Sequence, residues 1–166
     1  MSTETIGILA DLAIALSFVV AVIFGIAEVR AAARDRRERF TLETLRQFQT
    51  REFAELMQFI NARDLPSTRK AMQALPDDEQ ARYIQFAQEM ESLGILVAER
   101  LIDIRLVDIA LGNYVITTWD RYKVLYMDIR AKAPDPFLGE YFQWLAERMD
   151  ERMKENPRKP FYQTQG

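Results

Sequence analysis

The sequence predicts an all-α fold in which an N-terminal transmembrane helix continues into a small cytoplasmic helical bundle. Only six glycines and six prolines occur among 166 residues, of which 49% are hydrophobic, so the frequent turns of an all-β protein have little room. Residues 12–27 read LAIALSFVVAVIFGIA without a charge. Farther along the chain, apolar residues recur every three or four positions, which indicates amphipathic helices.

The predicted membrane segment covers about residues 6–29. A helix of this length measures ~36 Å at ~1.5 Å per residue and can cross a ~30 Å hydrocarbon core. Asp11 lies near its N-terminal end, where a charge can reach the headgroups, and the sequence assigns it no role. A signal peptide has its basic residues before the apolar run, whereas here they follow it, so we expect an uncleaved anchor.

A cluster of arginines follows the apolar segment, at Arg30, Arg34, Arg36, Arg37 and Arg39. The N-terminal flank has no basic residue, so the positive-inside rule predicts that the domain lies in the cytoplasm. The cluster could also bind anionic lipid headgroups, at ~1 kcal/mol per basic residue near the surface. A plain topology signal has the same appearance and is the favoured interpretation.

Small residues recur every fourth position in the membrane segment, at Ala13, Ser17, Ala21 and Gly25. This spacing lets two membrane helices approach closely, so self-association or docking to another membrane protein is one interpretation. The other is chance, because an alanine-rich helix produces such a stripe without selection for packing.

The anchor is expected to continue as one unbroken basic stalk helix over residues 30–63. Between Ile6 and Asp64 there is no proline, and the only glycines are Gly7 and Gly25. Beyond Thr41 the apolar side chains share one face, so the stalk should also pack into the core. They are Leu42, Leu45, Phe53, Leu56, Met57 and Ile60.

The helical bundle is predicted over residues 64–155, and it opens at the break Asp64-Leu65-Pro66. A short helix follows over residues 67–75, before Pro76. Asp77 and Gln80 then form a capping-box pattern that opens a helix over about residues 78–101. Its inward side chains are predicted to be Tyr83, Phe86, Met90, Leu93, Val97 and Leu101.

Two further helices complete the prediction. Asp103 should cap the first, and Gly112-Asn113 is expected to interrupt it. Its inward stripe is Val107, Leu111, Tyr114, Thr118, Leu125 and Ile129. The break Pro134-Asp135-Pro136 precedes the last helix, which should run to about Lys154 before an extended tail over residues 156–166. Its stripe is Leu138, Tyr141, Phe142, Leu145, Met149 and Met153.

Glu91 is the most informative polar residue, because it lies among apolar side chains on its predicted helix. A buried carboxylate without a partner costs several kcal/mol or takes up a proton. We therefore expect it to meet an arginine, a tyrosine hydroxyl or the indole of Trp119. The contact could fix helix register or tune an acid or cation ligand, and the structural interpretation is favoured because no second catalytic group is evident.

Composition removes most catalytic chemistry. The chain has no cysteine and no histidine, so thiolate chemistry, zinc thiolate sites and histidine bases are excluded. The acids Glu89, Glu91, Glu99, Asp103 and Asp108 could suggest a metal site, but the usual histidine ligands are missing, and Glu89, Glu91 and Glu99 point in different directions around one helix. No glycine-rich phosphate loop occurs either, so we expect no metal and no cofactor. Residues 30–166 carry 22 basic and 22 acidic residues, which argues against nucleic-acid binding.

Two aromatic residues, Phe137 and Trp144, fall at the edge of the last helix's apolar stripe. Aromatic side chains at such positions can anchor a protein partner. We interpret these two as candidates for a partner surface.

Three stretches carry a resemblance to a known family: FAQEMESLGILVAERLID at 86–103, TTWDRYK at 117–123 and EYFQWLAER at 140–148. They resemble the bacterial family labelled domain of unknown function 4760. The resemblance implies an N-terminal membrane helix, a helical region with a glutamate in an apolar helix and a downstream tryptophan. The resemblance supplies no catalytic residues. For a bacterial chain, the positive-inside rule then predicts the inner membrane with a periplasmic N-terminus.

From these observations we expect a non-enzymatic single-pass protein that contacts membrane lipid. Its partners would be other membrane proteins or a second copy, as for a scaffold, assembly factor or accessory subunit. Two alternatives stay open: an enzyme or ion-binding sensor centred on Glu91, and a protein that binds anionic lipid through the arginine cluster.

Overall fold

The computed structural model describes residues 3–132 and 135–163, without the side chains of residues 3–6, 9–11 and 161. The Asp11 side chain and Pro134 lie outside this description. The described chain contains no strand, which confirms the all-α prediction. Its helices are α1 (Thr3–Gln47), α2 (Arg51–Asn61), α3 (Arg69–Gln73), α4 (Asp77–Ala98), α5 (Ile104–Lys132), α6 (Glu140–Glu155) and a 3-10 helix (Phe161–Gln163).

The chain divides into two compact units, Met1–Arg39 and Phe40–Gly166. In the first, α1 is long and apolar enough to cross a membrane by length and composition, a test that a signal sequence also passes. Between Leu12 and Val29 its large apolar side chains are 44–71% exposed. This surface is therefore not used to build a core within its own unit.

The predicted unbroken stalk is wrong, because α1 ends at Gln47 and a new helix begins at Arg51. The Thr50 hydroxyl accepts a hydrogen bond from the Phe53 N–H at 3.2 Å and so caps α2. The ring of Phe48 packs edge-to-face on Phe53, with 5.0 Å between centroids. A threonine cap and a ring contact close this turn without a glycine or a proline.

The start of α4 also differs from the prediction. Asp77 is the first helical residue and not the cap; Pro76 precedes it, and no side chain there caps the helix. The Gln80 amide instead donates to the Leu75 carbonyl at 2.8 Å, which ties the preceding turn to the helix.

Two residues predicted to be inward are exposed. Because α4 ends at Ala98 and Arg100 takes a left-handed conformation (φ 58°), Leu101 leaves the helical stripe and is 51% exposed. Leu42 of α1 is 54% exposed. A periodic pattern predicts a face only where the helix continues in the same register.

Helix α5 begins as predicted and then departs from the prediction. The Asp103 carboxylate accepts from the Arg105 N–H at 2.8 Å, which confirms the cap. The helix passes without interruption through Gly112-Asn113. The tail is not wholly extended, since it forms the 3-10 helix Phe161–Gln163, and Arg158 donates to the Asp108 carbonyl at 2.9 Å.

The core of Phe40–Gly166 centres on Phe86 of α4. The centroid of its ring lies 5.5–6.4 Å from those of Phe53, Tyr114, Tyr122 and Phe142. Edge-to-face and offset stacking at these distances is the favoured aromatic geometry. Helices α2, α4, α5 and α6 thus meet around one side chain, and α6 packs against both α4 and α5.

Candidate functional site

Glu91 lies on α4 and caps the N-terminus of α6. Its two carboxylate oxygens accept hydrogen bonds from the backbone N–H groups of Tyr141 at 3.2 Å and Phe142 at 2.8 Å. These are the second and third residues of α6, whose first-turn N–H groups have no partner within the helix. Gly139, which occupies the cap position, supplies no side chain. The cap therefore comes from a different helix.

The predicted type of partner for Glu91 is wrong. Within the described residues neither an arginine, a tyrosine hydroxyl nor the Trp119 indole forms a hydrogen bond with this carboxylate. Two backbone donors at the positive end of the α6 dipole satisfy it instead. Sequence reasoning missed this because backbone donors carry no residue-type signal.

Gly94 makes the close approach of α4 and α6 possible. A Cβ atom at this position would lie 2.3 Å from the backbone oxygen of Tyr141. Gly94 follows Glu91 by three residues, so both face α6 from adjacent turns of α4. An isolated glycine inside a helical pattern was a usable signal for this contact.

Arg130 of α5 fixes the turn that leads into α6. Its Nε donates to the Leu138 carbonyl at 2.9 Å, and its Nη1 donates to the Gln143 side chain at 2.7 Å. Its guanidinium also lies 5.9 Å from the centre of the Tyr126 ring. The turn itself contains Gly139 with φ 70°, and this glycine rests directly on the Tyr126 ring.

Tyr126 is buried and lies near the negative charge of Glu91. Burial raises the pKa of its hydroxyl to about 12, the Glu91 charge adds to this, and Arg130 opposes it. The phenol therefore stays protonated through the physiological pH range.

Trp119 belongs to the core beneath this junction. Its ring lies 5.2 Å from that of Phe142 in an edge-to-face arrangement and stacks on Tyr126 at 5.7 Å. Glu91 and Trp119, which the sequence singled out together, thus contact the same turn of α6 from two sides. We call the group Glu91, Gly94, Trp119, Tyr126 and Arg130 the α6 junction.

The α6 junction is built to hold two helix ends together. Both oxygens of Glu91 already accept backbone hydrogen bonds, which leaves the carboxylate poorly placed to act as a base. The described part of the chain contains no group of three or more acidic residues that could hold a metal ion. The geometry supports an interhelical lock.

The other predicted site residues lie apart from the α6 junction. Ala13, Ser17, Ala21 and Gly25 are exposed on α1, as are all five residues of the arginine cluster. Phe137 is 67% and Trp144 38% exposed on the bundle. Their roles in packing, lipid contact and partner binding stay predictions.

These helices define a class: an all-α protein with one candidate membrane-spanning helix at its N-terminus. The family DUF4760, described as a domain of unknown function, matches residues 13–149. The chain belongs to this family. No curated protein matches the chain, and no solved structure matches it.

Proposed function

We propose that this chain is a single-pass protein of a bacterial inner membrane, with residues 40–166 in the cytoplasm. It acts there without enzymatic activity, as a scaffold, assembly factor or accessory subunit of a membrane protein complex. One observation carries the proposal: an exposed apolar helix surface, Leu12–Val29, is followed directly by five exposed arginines. Hydrocarbon is the environment that stabilises such a surface, and basic residues favour the cytoplasmic side.

The small-residue stripe of α1 is the proposed contact with a partner helix. The Ser17 hydroxyl donates to the Ala13 carbonyl at 2.8 Å, so it brings no unsatisfied donor into the hydrocarbon. Around Gly25 no atom lies within 4 Å of an added Cβ, which leaves room for a second helix to approach closely. The partner is another membrane protein or a second copy of the chain.

Cysteine labelling tests the anchor and its orientation. The chain has no cysteine, so Ser67→Cys, in an exposed loop, gives a unique label. We expect the protein to resist alkaline carbonate extraction and to react with an impermeant maleimide only after the inner membrane is permeabilised. Replacing the five arginines by glutamine should expose the label in part of the population. If alkaline carbonate released a product that lacks the apolar segment, the proposed membrane anchor would be wrong.

A matched pair of substitutions tests the partner contact. Ala21→Ile fills the stripe, whereas Ala15→Ile makes the same change ~120° around the helix. We expect Ala21→Ile to abolish a complex that crosslinking recovers from native membranes and Ala15→Ile to retain it. Equal behaviour of the two variants would reject the stripe as the contact, and a lone monomer in gentle detergent without any crosslinked partner would reject the scaffold role.

Binding of anionic lipid is a second candidate function, favoured by the exposure of all five arginines of the cluster. The anionic lipids that co-purify with the chain should decrease with salt and with arginine-to-glutamine substitution. Co-purification that responds to neither change would reject this role.

A further inference from the structure

A second feature of the bundle adjoins the α6 junction at Tyr126: a half-open groove of about 250 Å³ between α3, α4 and α5. Most of its lining is apolar. Met72 comes from α3, Ile84 from α4, and Leu125 and Ile129 from α5. Ile84 is 50% exposed, so its side chain is only partly covered. Binding sites for small ligands have this character, a concave apolar surface with few polar groups.

The roof of the groove is lightly held. Helix α3 is only five residues long and has no buried residue. The Arg69 N–H donates to the Asp128 carboxylate at 2.9 Å, and the Gln80 amide donates to the Leu75 carbonyl just after α3. These polar contacts, together with the partly buried Met72, which packs against the core, hold α3 over the groove.

One cation lies at the rim. Arg69 lines the groove and is exposed, and in the described part of the chain its guanidinium forms no ion pair. None of the described residues that line the groove is acidic. An apolar trough with one cation at its rim complements a molecule that has a hydrocarbon chain and a negative head group.

We propose that this groove binds a single-chain amphiphile, with its hydrocarbon chain between α3, α4 and α5 and its carboxylate or phosphate on Arg69. The volume holds roughly eight methylene-sized groups if each occupies the ~30 Å³ of a water molecule. That is enough for part of one acyl chain. A free fatty acid and a lysophospholipid share this chemistry.

The proposal makes two quantitative statements. Affinity should increase about fourfold for each added methylene and level off near roughly eight methylenes, where the groove is full. Because Arg69 is exposed, loss of its charge should weaken an anionic amphiphile by roughly two- to fivefold and leave a neutral alkanol of equal length unaffected.

Photocrosslinking in whole cells that express the full chain tests this directly. The probes are a diazirine alkyl carboxylate, a diazirine lysophospholipid and a diazirine alkanol, and unlabelled carboxylates of increasing length serve as competitors. Mass spectrometry should locate the adducts on Met72, Ile84 and Ile129. The groove lies wholly within Phe40–Gly166, so the result does not depend on how the chain is anchored.

Matched variants make the test specific. Arg69→Gln should reduce labelling by the anionic probes, whereas Lys70→Gln, the neighbouring cation outside the groove lining, should not. Ile84→Glu should block the groove, whereas Val124→Glu, at 52% exposure against 50%, should not. Circular dichroism melts check that each variant is folded.

The outcomes divide cleanly. Groove adducts from the carboxylate alone identify a fatty acid, adducts from the lysophospholipid alone identify that lipid, and adducts from both support the shared chemistry. Adducts spread evenly over exposed apolar side chains, or equal effects of Arg69→Gln and Lys70→Gln, overturn the proposal. The absence of any groove adduct overturns it as well.

Discussion

At the scale of single residues, Glu91 shows how a carboxylate can lie on an apolar helix face without forming an ion pair with any cation among the described residues. Each of its oxygens accepts one backbone N–H of α6. These donors would otherwise be unsatisfied in the first turn of that helix, and their dipole is favourable to a negative charge. The carboxylate and the helix end therefore stabilise each other.

Glu91→Gln should lower the free energy of unfolding by roughly 1–3 kcal/mol, because a neutral amide accepts weaker hydrogen bonds and turns a donor toward an N–H group. Chemical denaturation of the full chain in detergent, followed by circular dichroism, measures this change.

The control is Glu89→Gln on the same helix, where the carboxylate accepts from the exposed Gln85 side chain and not from a helix end. Its effect should stay below about 0.5 kcal/mol. Equal losses for both variants would contradict the capping role. An unchanged stability of Glu91→Gln together with a lost cellular phenotype would favour a chemical role for Glu91.

Tyr126 predicts how stability responds to alkaline pH. Its pKa rises from 10.0 to about 12 on folding, so above pH 10 the unfolded chain loses a proton that the folded chain keeps. Stability should therefore decrease between pH 10 and 12, by up to roughly 2–3 kcal/mol from this group. The stability of Tyr126→Phe should decrease less steeply as the pH rises, as measured by thermal melts at stepped pH.

Tyr162→Phe serves as the control for Tyr126, since Tyr162 is 81% exposed. Its pH profile should match that of the unsubstituted chain. If Tyr126→Phe showed the unchanged profile too, the raised pKa of Tyr126 would not contribute to stability.

At the scale of helices, the approach of α4 to α6 depends on Gly94. Gly94→Ala places a methyl group 2.3 Å from the Tyr141 backbone oxygen, and a backbone atom can move only if α6 moves. We expect a net loss of roughly 1–3 kcal/mol, despite the ~1 kcal/mol that alanine contributes to helix propensity. Thermal or chemical unfolding measures the difference.

Gly112→Ala is the matched comparison within α5. There the added methyl meets the end of the Asp108 side chain, also at 2.3 Å, and a side chain can rotate away. With the same propensity gain, this variant should be close to neutral. If Gly112→Ala were as damaging as Gly94→Ala, helix packing would not explain the Gly94 effect.

Helix ends marked by a charged or rigid residue could be predicted from the sequence. Pro76 and Asp103 delimit α4 and α5 because their effect on the backbone is local. The break at Phe48–Thr50 could not be predicted, since a threonine caps a helix only if the chain turns there, and tertiary contacts decide that. For the same reason Leu101 was predicted to point inward, because the sequence does not show that Arg100 leaves the helical conformation.

The α6 junction, too, could be predicted only where the signal in the sequence is local. Glu91 was singled out because a charge on an apolar face requires a partner, and that requirement is local. The partner of Glu91 could not be predicted, because the N-terminus of α6 reaches Glu91 only when α5 and the turn at Gly139 fold back. The groove at Arg69 left no trace in the sequence, since it depends on the spacing of three helices.

At the scale of the whole molecule, every buried residue among those whose side chains are described lies from Thr41 onward, within Phe40–Gly166. The exposed apolar residues of α1 lie in the other unit. The core and the exposed apolar surface are thus encoded in separate parts of one sequence, although α1 contributes to both. Thr41 is a member of the core, and its hydroxyl accepts from the Asp103 N–H at 2.8 Å.

A truncation series tests this division. A chain that begins at residue 40 loses no buried residue, so it should be soluble without detergent and unfold in one cooperative transition. A chain that begins at residue 51 also loses Thr41, Thr44 and Leu45, which are 0–6% exposed in the intact protein. The loss of these buried side chains should lower the free energy of unfolding by several kcal/mol. The truncated chain should then show a broad transition or be insoluble. Circular dichroism melts of the two truncations distinguish the outcomes, and equal stability would mean that the end of α1 contributes nothing to the bundle.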